Sequence, residues 1–219
     1  MPARPVSDEE ARRGDPDRLC FFTDGVTAII ITILVLELKP PELSAGESLW
    51  EGITEEGNTF VAFVISFLLV GMYWVWHRDT FTHVRFVNRS AIWLNLLFLL
   101  PLSLIPFGAS VLGDFAEDAT ALHVYGLILV AVTVMRTLLS LYLFRHPGLL
   151  WDPVSAHARR VAAGLAAAPL AVYFVAMLIA SWWPIASLIL YLLVPALYIG
   201  SVALLDTNSG NRSATESVS

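Results

Sequence analysis

The chain has 219 residues, of which 57% are hydrophobic and only 15% are charged, with a formal net charge of −6 at pH 7. Its mean hydropathy is +0.69. A soluble domain needs more polar surface than this to cover its core, so the composition excludes one and predicts an integral membrane protein. The sequence contains no glycine-rich phosphate loop, no zinc-protease motif, no nucleophile elbow and no His/Cys cluster of metal-ligand spacing. We therefore expect no catalytic residues, no metal site, no cofactor and no nucleic-acid partner.

Six apolar runs are long enough to cross a bilayer, whose hydrocarbon core of about 30 Å needs roughly 20 apolar residues in a helix. The predicted spans are residues 19–38, 59–76, 91–112, 122–144, 161–182 and 185–205. The predicted fold is therefore an all-α bundle of six transmembrane helices, one domain over residues 18–205. The polar segments on either side predict disordered tails at 1–17 and 206–219.

The basic residues outside these spans predict the orientation, because short arginine-rich segments stay in the cytoplasm. With six spans, every arginine outside them falls on one side: Arg4, Arg12, Arg13, Arg18, Arg78, Arg85, Arg89, Arg145, Arg159, Arg160 and Arg212. The other side has Lys39 against a set of acids: Glu42, Glu47, Glu51, Glu55, Glu56, Asp114, Glu117 and Asp118. We expect both termini in the cytoplasm and an acidic outer face, which either concentrates cations or is simply a solvated loop.

The first span carries a carboxylate, Asp24, roughly 7 Å inside its cytoplasmic edge at 1.5 Å per residue. An isolated charge at that depth costs on the order of 2.5 kcal/mol or more, so we expect partners from other helices. Arg18 is six positions away and leans to another face of the same helix. Matching depths predicts a cluster of Asp24 and Thr23 with His77 and Asn95, which Arg18 closes at the cytoplasmic edge.

Two interpretations of this polar cluster stay open. It can lock the first three helices together, since it satisfies several costly polar groups at once. It can also act in gating or proton movement, since histidine is the residue type that titrates near neutral pH. The alternative function is thus a proton-coupled secondary transporter using Asp24 and His77, although we find no inverted repeat and no matched pair of broken helices.

A second intramembrane charge, Arg136, lies in the inner half of the fourth predicted span, about two turns from Arg145. Because an arginine stem is long and apolar, we expect the guanidinium to snorkel to the cytoplasmic headgroups.

An apolar stripe runs along the first span after Asp24. Ile29, Ile33 and Leu36 follow each other at spacings of four and three, which stacks them on one helix face within about 60°. Copies of the helix around a symmetry axis would place these side chains in rings. The pattern by itself favours ordinary packing between helices over a pore.

The start of the first span resembles a known family. The run Arg18-x-x-x-Phe22-Thr23-Asp24 is similar to the R-x-x-x-F-S-D sequence of the endolysosomal potassium channels of the transmembrane protein 175 family and their prokaryotic relatives. Thr23 replaces the usual serine and keeps the hydroxyl. Three further stretches are also similar, namely residues 25–37, the Trp76-His77 pair and Trp93-Leu94-Asn95. The resemblance covers the first three spans, and the remaining spans agree only in hydropathy.

This resemblance implies a potassium-permeable cation channel, with potassium as the permeant ion and no T-V-G-Y-G filter. It implies that the first helix lines the pore and that Ile29, Ile33 and Leu36 form its constriction. In such a pore Thr32 would add a hydroxyl beside the ring and Glu37 a negative charge at the outer mouth; the alternative for each is a position facing a neighbouring helix. Prokaryotic members carry one six-helix unit per chain, so the resemblance implies a homotetramer in the lipid bilayer of a prokaryotic plasma membrane.

Overall fold

The computed structural model describes residues 14–43, 46, 48–152 and 155–216, and for residues 55, 156–163, 165–167 and 201–216 it describes the backbone alone. The described residues form eight α-helices: α1 (Pro16–Leu34), α2 (Leu49–Glu55), α3 (Gly57–Phe81), α4 (Arg89–Leu102), α5 (Ile105–Asp114), α6 (Ala119–Arg145), α7 (Ala156–Ile179) and α8 (Pro184–Glu216). The 3₁₀ turns Val35–Glu37 and Pro147–Leu149 follow α1 and α6. The predicted all-α class is confirmed.

Four helical segments of the described chain are long and apolar enough to cross a membrane: Pro16–Glu37, Gly57–Phe81, Arg89–Asp114 and Ala119–Arg145. They coincide with the first four predicted spans. Two shorter apolar stretches, Ala168–Ile179 and Pro184–Gly200, lie where the fifth and sixth spans are predicted, so the count of six stays a prediction. The backbone of α8 is helical beyond the predicted domain end at residue 205, and residues 1–13 and 217–219 of the predicted tails lie outside the described residues.

Polar side chains fix where the helices begin. The carboxylate of Asp15 accepts a hydrogen bond from the backbone N–H of Asp17 (2.9 Å), and Pro16 occupies the first helical position of α1. At α4, Asn88 Oδ1 accepts from the backbone N–H of Ala91 (2.9 Å). Each cap satisfies a backbone donor that has no partner within its helix. The start of the first predicted span at residue 19 therefore moves back to Pro16.

The third membrane segment consists of two helices rather than one. α4 ends at Leu102 and α5 begins at Ile105, with a turn at 103–104 between them. Pro101 and Pro106 flank this turn, and a proline removes a backbone donor and clashes with the preceding helical turn. A break at this position therefore has a local chemical cause.

The largest apolar cluster joins side chains of α1, α3, α4, α5, α6, α7 and α8 in one core. Four tyrosines are among its fully buried side chains, namely Tyr73, Tyr125, Tyr173 and Tyr191. Their hydroxyls bond within the bundle: Tyr73 to Thr133 (2.9 Å) and Tyr173 (3.5 Å), Tyr125 to Ser66 (2.8 Å), and Tyr191 to the carbonyl of Leu122 (2.9 Å). These bonds satisfy polar groups that are costly to leave unpaired in an apolar interior.

A second cluster closes the end of the bundle where α1 begins. It packs residues of the α3–α4 connection against residues that follow α6. The backbone N–H of Arg85 donates to the carbonyl of Leu149 (2.8 Å), and the N–H of Trp151 donates to that of His83 (3.1 Å). The N–H of Gly14 donates to the carbonyl of Val87 (2.8 Å), so the start of α1 is tied to the same connection.

A glycine allows α5 to approach α3. A Cβ added at Gly113 would lie 2.9 Å from the backbone Cα of Thr59, whereas one added at Gly71 would meet nothing within 4 Å. We expect Gly113→Ala to destabilise the protein by about 1–3 kcal/mol, because the clash is with backbone that cannot rotate away. Gly71→Ala is the matched control and should not lower the midpoint of thermal unfolding in detergent. Equal midpoints for the two variants would show that α3 and α5 do not pack this closely.

Candidate functional site

One face of α1 is buried inside its own chain. The buried residues of this helix are Leu19, Thr23, Thr27, Ile30 and Leu34. At 100° per residue these positions all lie within about 40° of Thr23 around the helix axis. α1 therefore packs against its own bundle along a single stripe that contains two threonines.

The three residues predicted to form the constriction lie on the uncovered side of this segment, Ile29 and Ile33 in α1 and Leu36 in the 3₁₀ turn that follows it. Ile29, Ile33 and Leu36 are 59%, 39% and 71% exposed. They lie roughly 80 to 140° from Thr23, all on the same flank of the helix. In the most apolar stretch of Pro16–Glu37 only 28% of residues are buried, against 44–56% in the other three candidate spans. α1 is thus the least covered of these four segments, and its apolar stripe is uncovered within one chain.

The two polar residues predicted beside the constriction lie in different settings. Thr32 is exposed in the middle of the uncovered face, and its hydroxyl donates to the carbonyls of Ala28 (3.0 Å) and Ile29 (2.9 Å). The hydroxyl hydrogen is used within the helix, while the oxygen keeps its lone pairs on the uncovered side. Glu37 is half-buried in the 3₁₀ turn that ends this segment.

A chain of buried side chains links α1 to α4 and α3. Asn95 Nδ2 donates to Thr23 Oγ1 (2.8 Å), and Asn95 Oδ1 lies 2.9 Å from Nε2 of His77. Thr23 Oγ1 in turn donates to the carbonyl of Leu19 (3.0 Å). The His77 ring stacks on Phe81 with 4.3 Å between ring centroids. Three of the residues expected to cluster are therefore brought together, with both ends of the Asn95 amide in use.

The other residues of the expected cluster make no hydrogen bond to Thr23, Asn95 or His77 among the described residues. Asp24 is exposed, about 100° around the helix from Thr23, and its Oδ1 accepts a hydrogen bond from the indole N–H of Trp74 on α3 (2.8 Å). Arg18 is exposed in the first turn of α1, and Phe22 is 53% exposed. The carboxylate has a partner from another helix, as expected, but that partner is an indole.

Trp74 is the residue that sequence reasoning missed. It precedes His77 by three positions on α3, which places both side chains on neighbouring parts of one helix face. The same helix therefore contacts α4 through His77 and offers the indole N–H of Trp74 as a donor for Asp24. The spacing of three residues between Trp74 and His77 was the sequence feature that could have predicted this donor.

Arg136 does not snorkel, contrary to the sequence prediction. Its side chain is 4% exposed, and the guanidinium carbon lies 5.2 Å from the ring centroid of Trp76 and 6.0 Å from that of Tyr73. The negative faces of aromatic rings attract a cation, and this attraction is strongest where water is excluded. These two rings from α3 lie beside the charge and stabilise it within the bundle.

The end of the bundle opposite Arg18 is acidic. Ser48 caps α2 and donates its backbone N–H to Glu51 Oε2 (2.8 Å), which lowers the pKa of the Glu51 carboxyl. The backbone N–H of Thr120 donates to Asp118 Oδ1 (2.7 Å) and lowers the pKa of that carboxyl. Both hydrogen bonds favour the ionised form, so these acids stay charged at neutral pH.

Comparison with known proteins finds similarity to one family of potassium channels. Residues 18–106 match the sequence profile of the family described as endosomal/lysosomal potassium channel TMEM175. The chain is 35% identical over 136 residues to potassium channel B446_29190 of Streptomyces collinus, which covers 60% of this chain and 66% of that protein. It is 44% identical over 117 residues to potassium channel HX13_20290 of Chryseobacterium sp., which covers 52% and 59%. The matches thus span 59–66% of the length of these relatives.

Among solved structures, the chain resembles a lysosomal potassium-selective channel TMEM175 homolog from Chamaesiphon minutus. The TM-score is 0.73 at 23% sequence identity, over 84% of this chain and 95% of that one. At this identity the comparison shows a shared fold.

The hydrogen-bonded chain through Asn95 can be tested by stability. In Asn95→Leu the buried Thr23 hydroxyl and His77 imidazole each lose a partner, so we expect a loss of about 1–3 kcal/mol. Ser90→Ala changes an exposed residue of the same helix and serves as the control. Thermal unfolding of the purified protein in detergent should show a lower midpoint for Asn95→Leu and the parent midpoint for Ser90→Ala. A parent-like Asn95→Leu protein would contradict the structural role of this amide.

Proposed function

We propose that this chain, whose residues 18–106 match the TMEM175 family profile, is the subunit of a potassium-permeable cation channel. One structural observation carries the proposal. The apolar stripe of Ile29, Ile33 and Leu36 is uncovered within the chain, on the helix that is the least buried of the four candidate spans. The two bacterial relatives described above are themselves named potassium channels.

We propose that four copies of the chain assemble around an axis that these α1 faces line. Four copies of each aliphatic side chain then make three successive narrow rings along the ion path. An aliphatic ring offers no oxygen to replace an ion's hydration shell, so it closes the path by excluding water when narrow. This mode of gating needs no carbonyl filter, in agreement with the absence of a T-V-G-Y-G motif.

The selectivity expected of such a pore follows from the cost of dehydration. Potassium holds its water less tightly than sodium, so a constriction with weak ligands favours potassium to a modest degree. In this arrangement Thr32 supplies hydroxyl oxygens between the rings, and Glu37 supplies negative charge at the outer mouth. The ionised Glu51 and Asp118 lie at the same end of the bundle as this mouth and raise the cation concentration within about 8 Å of the surface at physiological salt.

The proposal also includes the number of membrane spans and the side of the membrane on which the termini lie. We place α7 and α8 across the membrane as the fifth and sixth spans, which makes residues 18–205 one channel domain. Both termini then lie in the cytoplasm of a prokaryotic cell, and the acidic end of the bundle faces outward. The shorter apolar stretches in these two helices support the assignment.

In this proposal, hydrogen bonds from α3 and α4 hold α1 in the orientation that lines the pore. Asn95 anchors Thr23 to α4, and Trp74 anchors Asp24 to α3. A proton-coupled transporter would pass protons between Asp24 and His77. Among the described residues Asp24 bonds to Trp74 while His77 bonds to Asn95. Because each group is engaged by a different partner, anchoring is favoured over a direct relay.

Ion flux tests the constriction. In Ile33→Asn an amide wets the ring, so we expect faster potassium flux and weaker discrimination against sodium, measured with purified protein in liposomes under opposite ion gradients. Leu127→Asn places the same amide on a 62%-exposed position of α6 and should leave both quantities unchanged. Unchanged flux in Ile29→Asn, Ile33→Asn and Leu36→Asn alike would contradict a pore along this face.

Cross-linking tests where α1 lies in the assembly. Cys20 is the only cysteine, so Cys20→Ser gives a cysteine-free background. With Ile33→Cys in this background, we expect copper phenanthroline to link two chains within membranes, because the residues of neighbouring subunits meet near the axis. Ile30→Cys is the control, since Ile30 is 3% exposed and faces its own chain. Cross-linking of Ile30→Cys but not of Ile33→Cys would place the axis elsewhere.

A further inference from the structure

A cavity of about 580 Å³ lies between α3, α6, α7 and α8, away from α1. Its volume falls within the roughly 300–1,000 Å³ of typical ligand sites. One part of the wall is apolar, formed by residues that include Met72, Val172, Val194 and Leu197. The channel function proposed above does not use this space.

The polar groups of the cavity lie toward one end. Asp79 and Thr80 belong to the last turn of α3, and Ser140 lies one turn beyond Arg136 toward the end of α6. Asp79 is exposed, whereas Arg136 is buried against Trp76. Since Trp76 precedes Asp79 by three residues, the positive charge lies roughly 4 to 5 Å deeper along α3 than the negative one. The wall thus presents an outer carboxylate, an inner guanidinium and then apolar surface.

We propose that this cavity binds one phospholipid with a primary-ammonium headgroup, of the phosphatidylethanolamine class. In such a lipid the ammonium lies outermost, the phosphate lies below it and the acyl chains follow. The same order of depth is found in the wall: Asp79 accepts from the ammonium, Arg136 donates to the phosphate, and an acyl chain lies along Met72, Val172 and Val194. Guanidinium and phosphate form strong charge-assisted hydrogen bonds, and basic pockets between membrane helices bind lipid headgroups.

The carboxylate selects among lipids. An anionic lipid such as phosphatidylglycerol pairs with Arg136 but brings a net negative charge next to Asp79, and like charges repel. Phosphatidylcholine is zwitterionic, but its quaternary ammonium has no N–H to donate to the carboxylate. The apolar wall favours a lipid over a free phosphorylated headgroup, which would leave that wall unfilled.

Native mass spectrometry measures this selectivity. The purified protein is reconstituted in nanodiscs of equal parts phosphatidylethanolamine, phosphatidylcholine and phosphatidylglycerol, then released, and the retained lipids are counted. We expect about one phosphatidylethanolamine per subunit. Asp79→Asn should lower its retention relative to phosphatidylcholine by about tenfold, the factor that corresponds to one charge-assisted hydrogen bond. Asp114→Asn removes an exposed carboxylate at the opposite end of the bundle and should retain the lipid as the parent does.

A second variant separates lipid binding from folding. Ala168 lines the cavity and is exposed, so Ala168→Phe fills space without removing a polar group, and it should lose the bound lipid while keeping the parent gel-filtration profile. The proposal is overturned if phosphatidylglycerol is retained in preference, or if Asp79→Asn and Ala168→Phe retain phosphatidylethanolamine as the parent does. It is also overturned if the parent retains no lipid, as when a second copy of the chain covers the cavity. These outcomes do not depend on ion flux.

Discussion

The amide of Asn95 is the constraint on which the arrangement of α1 depends. It donates to Thr23 on α1 and accepts from His77 on α3, so one side chain of α4 joins three helices in the interior. In a membrane, apolar packing alone leaves the rotation of a helix weakly fixed, because lipid is as apolar as a leucine side chain. A hydrogen bond between buried groups has one geometry, and moving either partner leaves a polar group unsatisfied. The hydrogen bond from Asn95 therefore fixes the Thr23 side chain toward the interior of the bundle.

The rest of α1 follows from that direction. With Thr23 inward, Thr27, Ile30 and Leu34 also turn toward the bundle, since they lie within about 40° of it around the helix. Ile29 and Leu36 must then lie on the uncovered side. The bond between Trp74 and Asp24 acts on the other flank of the helix and opposes rotation in either direction. Two polar contacts on one turn thus determine which side chains a neighbouring subunit or an ion path would meet three turns away.

In the other half of the bundle, the structure accommodates the cationic side chain of Arg136 in its interior. Arg136 is buried, and the rings of Trp76 and Tyr73 lie beside it. The tyrosine hydroxyls around it are themselves hydrogen-bonded to neighbours such as Thr133. Aromatic faces and satisfied hydroxyls make this region tolerant of charge without water. They also leave a cavity whose polar and apolar surfaces follow the order found along a phospholipid.

Much of the architecture follows from local patterns in the amino-acid sequence. The run of apolar residues after Asp24 must be helical and within the bilayer, because every backbone polar group there needs an internal partner. The spacing of Ile29, Ile33 and Leu36 places them on one face in any helix. Matching depths in the membrane was enough to predict that Thr23, His77 and Asn95 lie close together. Residues at equal distances from the membrane edge on neighbouring helices come within reach of one another.

The neighbour that each polar group meets depends on how the helices pack together. Asp24 pairs with Trp74, and Arg136 turns inward to Trp76, because the lateral order and rotation of the helices bring those rings within reach. The spacing of residues in the sequence predicts which side chains share a face of a helix. It does not predict which neighbouring helix that face packs against. The break between α4 and α5 is a similar case: Pro101 and Pro106 mark where the segment can bend, whereas the packing of Gly113 against Thr59 sets where α5 then lies. Depth and periodicity are properties of one helix, while partners depend on several helices packed together.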